Sequence, residues 1–174
     1  MATFSKHDVK RYPDLFSKSE KSVINSRLSQ AAWSYGHGSH PVGDPNRKGS
    51  FWMMDLRSDP FFTEYLLNII EETTEQKYEL NSVYCNGHTF GTSGDFHKDW
   101  DDEPGRTFLY YVNDSWKQDW NGKTVFKFND KYHYSEFIPN SGILFPGVIP
   151  HKAEGTSRSF LDLRKTIAWK LVLK

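Results

Sequence analysis

The chain has 174 residues, 37% hydrophobic and 25% charged. Lys+Arg and Asp+Glu number 22 each, so the formal net charge is zero and nothing electrostatic argues for nucleic acid as the main partner. A disordered chain would be poor in aromatics, whereas this one carries 13 Phe, 9 Tyr and 6 Trp. The length suits one domain, taken as residues 1–174, with enough chain to bury a sizeable core. The single cysteine, Cys85, excludes an intrachain disulfide and a cysteine-rich zinc site. The N-terminus shows no apolar signal region, and no run approaches the ~20 apolar residues of a membrane helix. The expectation is a soluble protein of a reducing compartment.

The first 76 residues are expected to be a helical support. Residues 17–33 predict a helix: Ser17 and Glu20 form a capping-box pattern, and Val23, Ile24, Leu28 and Ala31 recur at helical spacing. Residues 34–50, rich in Gly, Pro and Asn, predict a loop. Asp59-Pro60 opens a second helix with an apolar stripe of Phe62, Tyr65, Leu66, Ile69 and Ile70.

From residue 77 the pattern changes. KYELNSVYCN, RTFLYYVN, KTVFKFN, HYSEFIPN, SGILFPG and RKTIAWKLVLK are short, aromatic and β-branched, with turn residues between them. These predict antiparallel strands of a sandwich or jelly roll over about 77–174. The fold class is α+β, mainly β, with the N-terminal helices on one sheet.

The chemistry centres on His97-Lys98-Asp99. In extended backbone, residues 97 and 99 share a face and can grip one metal ion through an imidazole and a carboxylate. A second histidine from a distant strand would complete a two-His, one-carboxylate facial triad, which leaves positions open on Fe(II). HxD alone is a weak motif. Its surroundings add to it: the approach NGHTFGTSGDFHKD, then LYYVNDSW and a Gly-containing turn, then FPGVIPH, and a closing basic strand.

In that order these segments resemble the Fe(II)/2-oxoglutarate dioxygenases, in their prolyl 4-hydroxylase-like branch of phage and bacterial type, over roughly residues 78–172. The resemblance implies a double-stranded β-helix (jelly roll) core, with His97, Asp99 and His151 as metal-binding and catalytic residues. It implies that Tyr111 contacts the C5 carboxylate of 2-oxoglutarate, and that a basic residue at the start of the last core strand holds that carboxylate. An arginine suits this task because its guanidinium is bidentate. Leu161 occupies the position ten residues after His151 where that basic residue usually falls. Arg164 is therefore assigned, with the extra residues in the preceding loop; Arg158 and Lys165 are the alternatives.

The implied cofactors are Fe(II), 2-oxoglutarate and O₂, with ascorbate as a candidate reductant. The implied reaction is hydroxylation of a C–H bond, foremost of a peptidyl proline, with release of succinate and CO₂. A free amino acid or other metabolite is the alternative substrate, and a metal-binding jelly roll without activity is the alternative function. A protein or peptide partner is expected, with no nucleic acid and no membrane, in the cytoplasm of a bacterium or of a phage-infected host. Trp100, beside the HxD, and Asn86, before it, are expected at the substrate cleft. His37 and His40 are read as loop or lid residues, and His88 and His133 as surface residues. The acidic run Asp101–Glu103 is read as a solvated loop, and Trp116, Trp120 and Trp169 as core or rim.

Overall fold

A computed structural model describes residues 4–174. Ten strands form two antiparallel sheets: β1 (Lys10–Tyr12), β2 (Ser34–His37), β3 (Phe51–Asp55), β4 (Tyr78–His88), β5 (Gly105–Tyr111), β6 (Thr124–Phe128), β7 (Lys131–Ser135), β8 (Gly142–Pro146), β9 (His151–Ala153) and β10 (Arg164–Leu173). The large sheet has the order β1-β8-β5-β10-β4-β3-β2, and the small one β7-β6-β9. This is the jelly-roll architecture expected, with two helices, α1 (Lys18–Leu28) and α2 (Leu66–Thr74), on the outer face of the large sheet.

Strand alternation builds two cores from one sheet. On β5 and β10, Phe108, Tyr110, Ile167, Trp169 and Leu171 face the helices, where they meet Ile24, Leu28, Phe62, Leu66 and Ile70. Their neighbours Leu109, Tyr111 and Ala168 face the small sheet and pack with Phe126, Phe137, Ile143 and Phe145. Cys85 lies on the helix side of β4, fully buried, and burial pushes its thiol pKa up. Among the described residues no helix is long and apolar enough to cross a membrane.

The N-terminal part differs from expectation in four places. The first helix stops at Leu28, where the Trp33 indole donates to the Leu28 carbonyl at 2.9 Å; Ala31 lies beyond it. Residues 34–37 are strand β2, not loop, and pair with β3. β1 pairs with β8 at the other edge, so the segment before residue 77 supplies three strands as well as helices. The second helix begins with a π-helical turn, Phe61–Tyr65. There the buried Trp169 indole donates to the Phe62 carbonyl at 2.9 Å, a side-chain insertion of the kind that widens a helical turn. Tyr65 consequently leaves the apolar stripe and donates its hydroxyl to Glu20 at 2.9 Å. The Asp59 cap and the Ser17–Glu20 capping box form as expected.

Glu71 ties α2 to the start of β4. Its carboxylate accepts the Tyr78 N–H at 2.9 Å and the Lys77 ammonium at 2.6 Å. Burial would raise this carboxyl's pKa, but the Lys77 and Tyr78 hydrogen bonds hold it below its ordinary value. Such a group stabilises the fold above its unfolded pKa and stops doing so as pH falls through its folded one. Glu71→Ala is expected to cost about 1–3 kcal/mol at neutral pH in denaturant titrations. The gap to the parent protein should narrow in acid; a gap that persisted would place Glu71's contribution in packing instead.

Candidate active site

The site forms where the HxD loop crosses the end of the small sheet. His97 and His151 are an isolated antiparallel bridge. They exchange two backbone hydrogen bonds, His97 N–H to His151 carbonyl at 3.1 Å and the reverse at 2.9 Å. The loop therefore acts as a short extra strand beside β9, and two histidines distant in sequence are cross-strand neighbours.

Asp99 is set by the next contacts. Its N–H donates to the Gly147 carbonyl at 2.9 Å. The indole of Trp100 then packs onto Gly105 and Gly147, where a Cβ on either glycine would overlap it, and its N–H reaches the Arg106 carbonyl at 3.3 Å. Trp100 lines the cavity, and it also wedges the HxD loop in place.

His97, Asp99 and His151 bring one ligand atom each within 4.8 Å of one another. His97 Nε2 lies 3.3 Å from Asp99 Oδ1, and His151 Nε2 lies 3.3 Å from Asp99 Oδ2. Cis ligands on one ion, at about 2.1 Å each, are about 3 Å apart. The Nδ1 atoms lie 2.9 Å from the carbonyls of Asp95 and Ile149 respectively. Those carbonyls accept, so Nδ1 carries the hydrogen and Nε2 presents a lone pair. Burial lowers the His151 pKa, which favours this neutral form. Two imidazole lone pairs then face a carboxylate that also only accepts; a cation between them resolves the arrangement. The donor set fits Fe(II) or a similar divalent ion.

Lys170 was not foreseen. β10 alternates Arg164, Thr166, Ala168 and Lys170 into the cavity, so the signal was the strand period itself. The Lys170 ammonium pairs with Asp99 Oδ2, which also accepts the Thr107 hydroxyl at 2.6 Å. Burial opposes charge on both partners, yet mutual attraction wins: Asp99 is held well below the usual carboxylate range and Lys170 is raised. Asp99 Oδ1 has no such clamp.

The cavity has a volume of about 340 Å³. Arg164, only 1% exposed, is part of its lining. Its Nε donates to the Gly122 carbonyl at 2.7 Å, and its two terminal nitrogens have no partner among the described residues. Burial pulls its pKa down to about 10, which still leaves it charged at neutral pH. Arg158 is exposed, over the Phe90 ring, and Lys165 points away from the cavity by strand alternation. Tyr111 is buried and does not line the cavity; its hydroxyl donates to Thr124 Oγ1 at 2.8 Å, and Thr124 does line it. Asn86 lines it, with its carbonyl oxygen unpartnered.

Two histidine expectations need correcting. His88 is buried in the cavity wall, not on the surface, because β4 continues to residue 88 with the inward alternation of Tyr84 and Asn86. His37 lines the cavity from β2, while His40 contacts the Phe96 carbonyl at 3.0 Å beside His97. His133 is half-buried, and Asp101, Asp102 and Glu103 are exposed.

No protein-family profile and no curated protein sequence matches the chain. Solved structures do match its fold. A 2OG-Fe(II) oxygenase family oxidoreductase from Burkholderia pseudomallei aligns at TM-score 0.72 and 9% identity, over 96% of this chain and 86% of that one. A prolyl hydroxylase from Trichoplax adhaerens, in complex with a hypoxia-inducible-factor peptide, aligns at TM-score 0.73 and 17% identity, over 96% and 84%. The non-heme α-ketoglutarate-dependent epimerase SnoN aligns at TM-score 0.66 and 10% identity, over 95% and 78%. The chain has the fold of the 2-oxoglutarate/Fe(II) oxygenases, the fold that the resemblance in the sequence implied.

Two substitutions test this geometry. Gly147→Ala is expected to displace Trp100 and weaken Mn(II) binding by about 10–100-fold, the usual cost of disturbing a ligand's support. Unchanged affinity in a folded variant would show that the wedge does not hold Asp99. Lys170→Met leaves Asp99 without its ammonium. The metal-free protein should lose about 3–5 kcal/mol, and saturating Mn(II) should recover part of it. An equal deficit with and without the ion would mean that a bound ion does not offset the loss of the ammonium from Asp99.

Proposed function

We propose that this chain is an Fe(II)- and 2-oxoglutarate-dependent oxygenase. The observation that carries the reading is the unpartnered Arg164 guanidinium, buried in the same cavity as the converging His97, Asp99 and His151. An unpaired buried cation is costly, and a carboxylate is the group that a bidentate guanidinium fits best. A ligand with a chelating end for a metal and a carboxylate for an arginine is a description of 2-oxoglutarate.

His97, Asp99 and His151 would hold Fe(II). When bound, the metal with its co-substrates supplies the oxidising power for C–H hydroxylation. The chain's residues do the rest. Arg164 Nη1 and Nη2 bind the distal carboxylate. Thr124, its oxygen occupied by the Tyr111 hydroxyl, turns its own hydrogen toward the cavity and adds a donor. Lys170 and Thr107 engage Asp99 Oδ2 and leave Oδ1 for the metal. Leu109, Phe145 and Ala168 line the cavity and keep water from its apolar wall.

The substrate we propose is a peptidyl proline, presented by a peptide or protein in the cytoplasm of a bacterium or phage-infected cell, with ascorbate as reductant. The likeness to a prolyl hydroxylase with a bound peptide supports this. The likeness to an epimerase from nogalamycin biosynthesis favours a free metabolite as the second reading.

The test needs no substrate. Anaerobic Fe(II)-loaded protein titrated with 2-oxoglutarate should give a saturable visible charge-transfer band. His97→Ala or His151→Ala should abolish it, and Arg164→Ala should weaken 2-oxoglutarate by about 100-fold or more. Iron binding without a band would remove the co-substrate assignment; no iron binding would remove the oxygenase. Incubation with proline peptides in air, read by mass spectrometry for gain of one oxygen, then separates the two substrate readings.

A further inference from the structure

His88 closes β4 directly across from Arg164 on β10. Both side chains face the cavity. His88 is 1% exposed, and its ring lies over Phe51 with centroids 4.3 Å apart at 31°. Neither of its ring nitrogens has a hydrogen-bond partner among the described residues, as with the two terminal nitrogens of Arg164. Four buried polar atoms without partners, on two neighbouring residues of adjacent strands, are not a feature of a finished core. They mark a place where something polar binds.

The chemistry of these atoms narrows what it is. Burial, then the nearby Arg164 charge, then His37, hold the His88 imidazole well below its ordinary pKa. The ring is therefore neutral, with one nitrogen donating and the other accepting. The guanidinium makes this end of the cavity positive and offers only donors. A carboxylate accepts more hydrogen bonds than one guanidinium edge supplies, and a neutral imidazole adds a donor without placing a second cation beside the first.

We infer that His88 is a second holder of the distal carboxylate of a 2-oxo dicarboxylic acid, donating from one ring nitrogen to the carboxylate that Arg164 pairs with. The inference rests on the co-substrate reading above and assigns to β4 a binding residue in addition to those of β10 and β6. His88 then contributes to the choice of a dicarboxylate over a 2-oxo acid that has only the chelating end.

The experiment compares two ligands on the anaerobic Fe(II)-loaded protein. 2-Oxoglutarate carries the distal carboxylate, and pyruvate has the same chelating end without it. His88→Leu should raise the dissociation constant for 2-oxoglutarate by about 10-fold or more, and that for pyruvate by less than about 2-fold. His88→Gln, which keeps a donor, should recover part of the loss and carries the comparison if His88→Leu does not fold. Equal weakening of both ligands would assign His88 to the support of the metal or the fold and overturn the inference. Unchanged 2-oxoglutarate affinity would also overturn it. No band from the parent protein with either ligand would instead remove the co-substrate reading itself, a result distinct from both.

Discussion

A carboxylate taken out of water has to be compensated, and the geometry of this site follows from how Asp99 is compensated. Its side chain is almost wholly enclosed. On one side stand two imidazoles whose Nδ1 hydrogens are committed to backbone carbonyls. On the other stand a lysine and a threonine hydroxyl. The arrangement leaves room for one more positive charge, between the imidazoles and the free carboxylate oxygen. The backbone makes this reproducible: the His97–His151 bridge sets the two rings side by side, and the Gly147 carbonyl fixes the Asp99 amide. The two glycines under Trp100 matter for the same reason, since they let an indole fill the space that would otherwise let the loop slide.

The second organising element is β10. One face of this strand supplies Ile167, Trp169 and Leu171 to the helix-side core, and the other supplies Arg164, Thr166, Ala168 and Lys170 to the cavity. It is paired along its length with β4 and with β5. Register here is not free, because a slip of one residue would exchange the two faces. Two cations would then enter an apolar core, and a tryptophan and two aliphatic side chains would enter the polar cavity. The strand that lines the cavity is thus also among the strands most firmly held, which fixes the positions of its inward side chains.

Much of this was legible in the sequence, and the exceptions have physical causes. Six of the seven strands after residue 77 could be read because each is five or more residues long and bounded by turn residues; β9, three residues long, could not. Their helix-side and cavity-side faces follow from period two alone. β1, β2 and β3 could not be read. The first two are three or four residues long and contain no fully buried residue, so they exist through edge pairing and not through a burial pattern. The π-helical turn depends on Trp169, about a hundred positions away, which no local window contains. At the site, His97 and Asp99 were visible as a motif. Lys170 and His88 became visible only once their strands had an end and a direction. His88 has no partner that the sequence identifies, and it sits two residues past the KYELNSVYCN pattern, where the strand in fact continues and turns it inward. Tyr111 was singled out from resemblance; the atom it presents to the cavity is Thr124's, a relay through one hydroxyl that sequence order does not reveal.

Cys85 shares β4 with Asn86 and His88 but faces the opposite way, into the helix-side core, with its thiol buried and its pKa raised. A thiol reagent attacks the thiolate and needs access to it, so in the native fold this sulfur is out of reach. Alkylation has to wait for the central strands to separate, and its rate then reports how often they do. One native atom, on the reverse of the strand that lines the cavity, thus serves as a built-in clock for strand opening, and any molecule that braces the cavity wall will slow it.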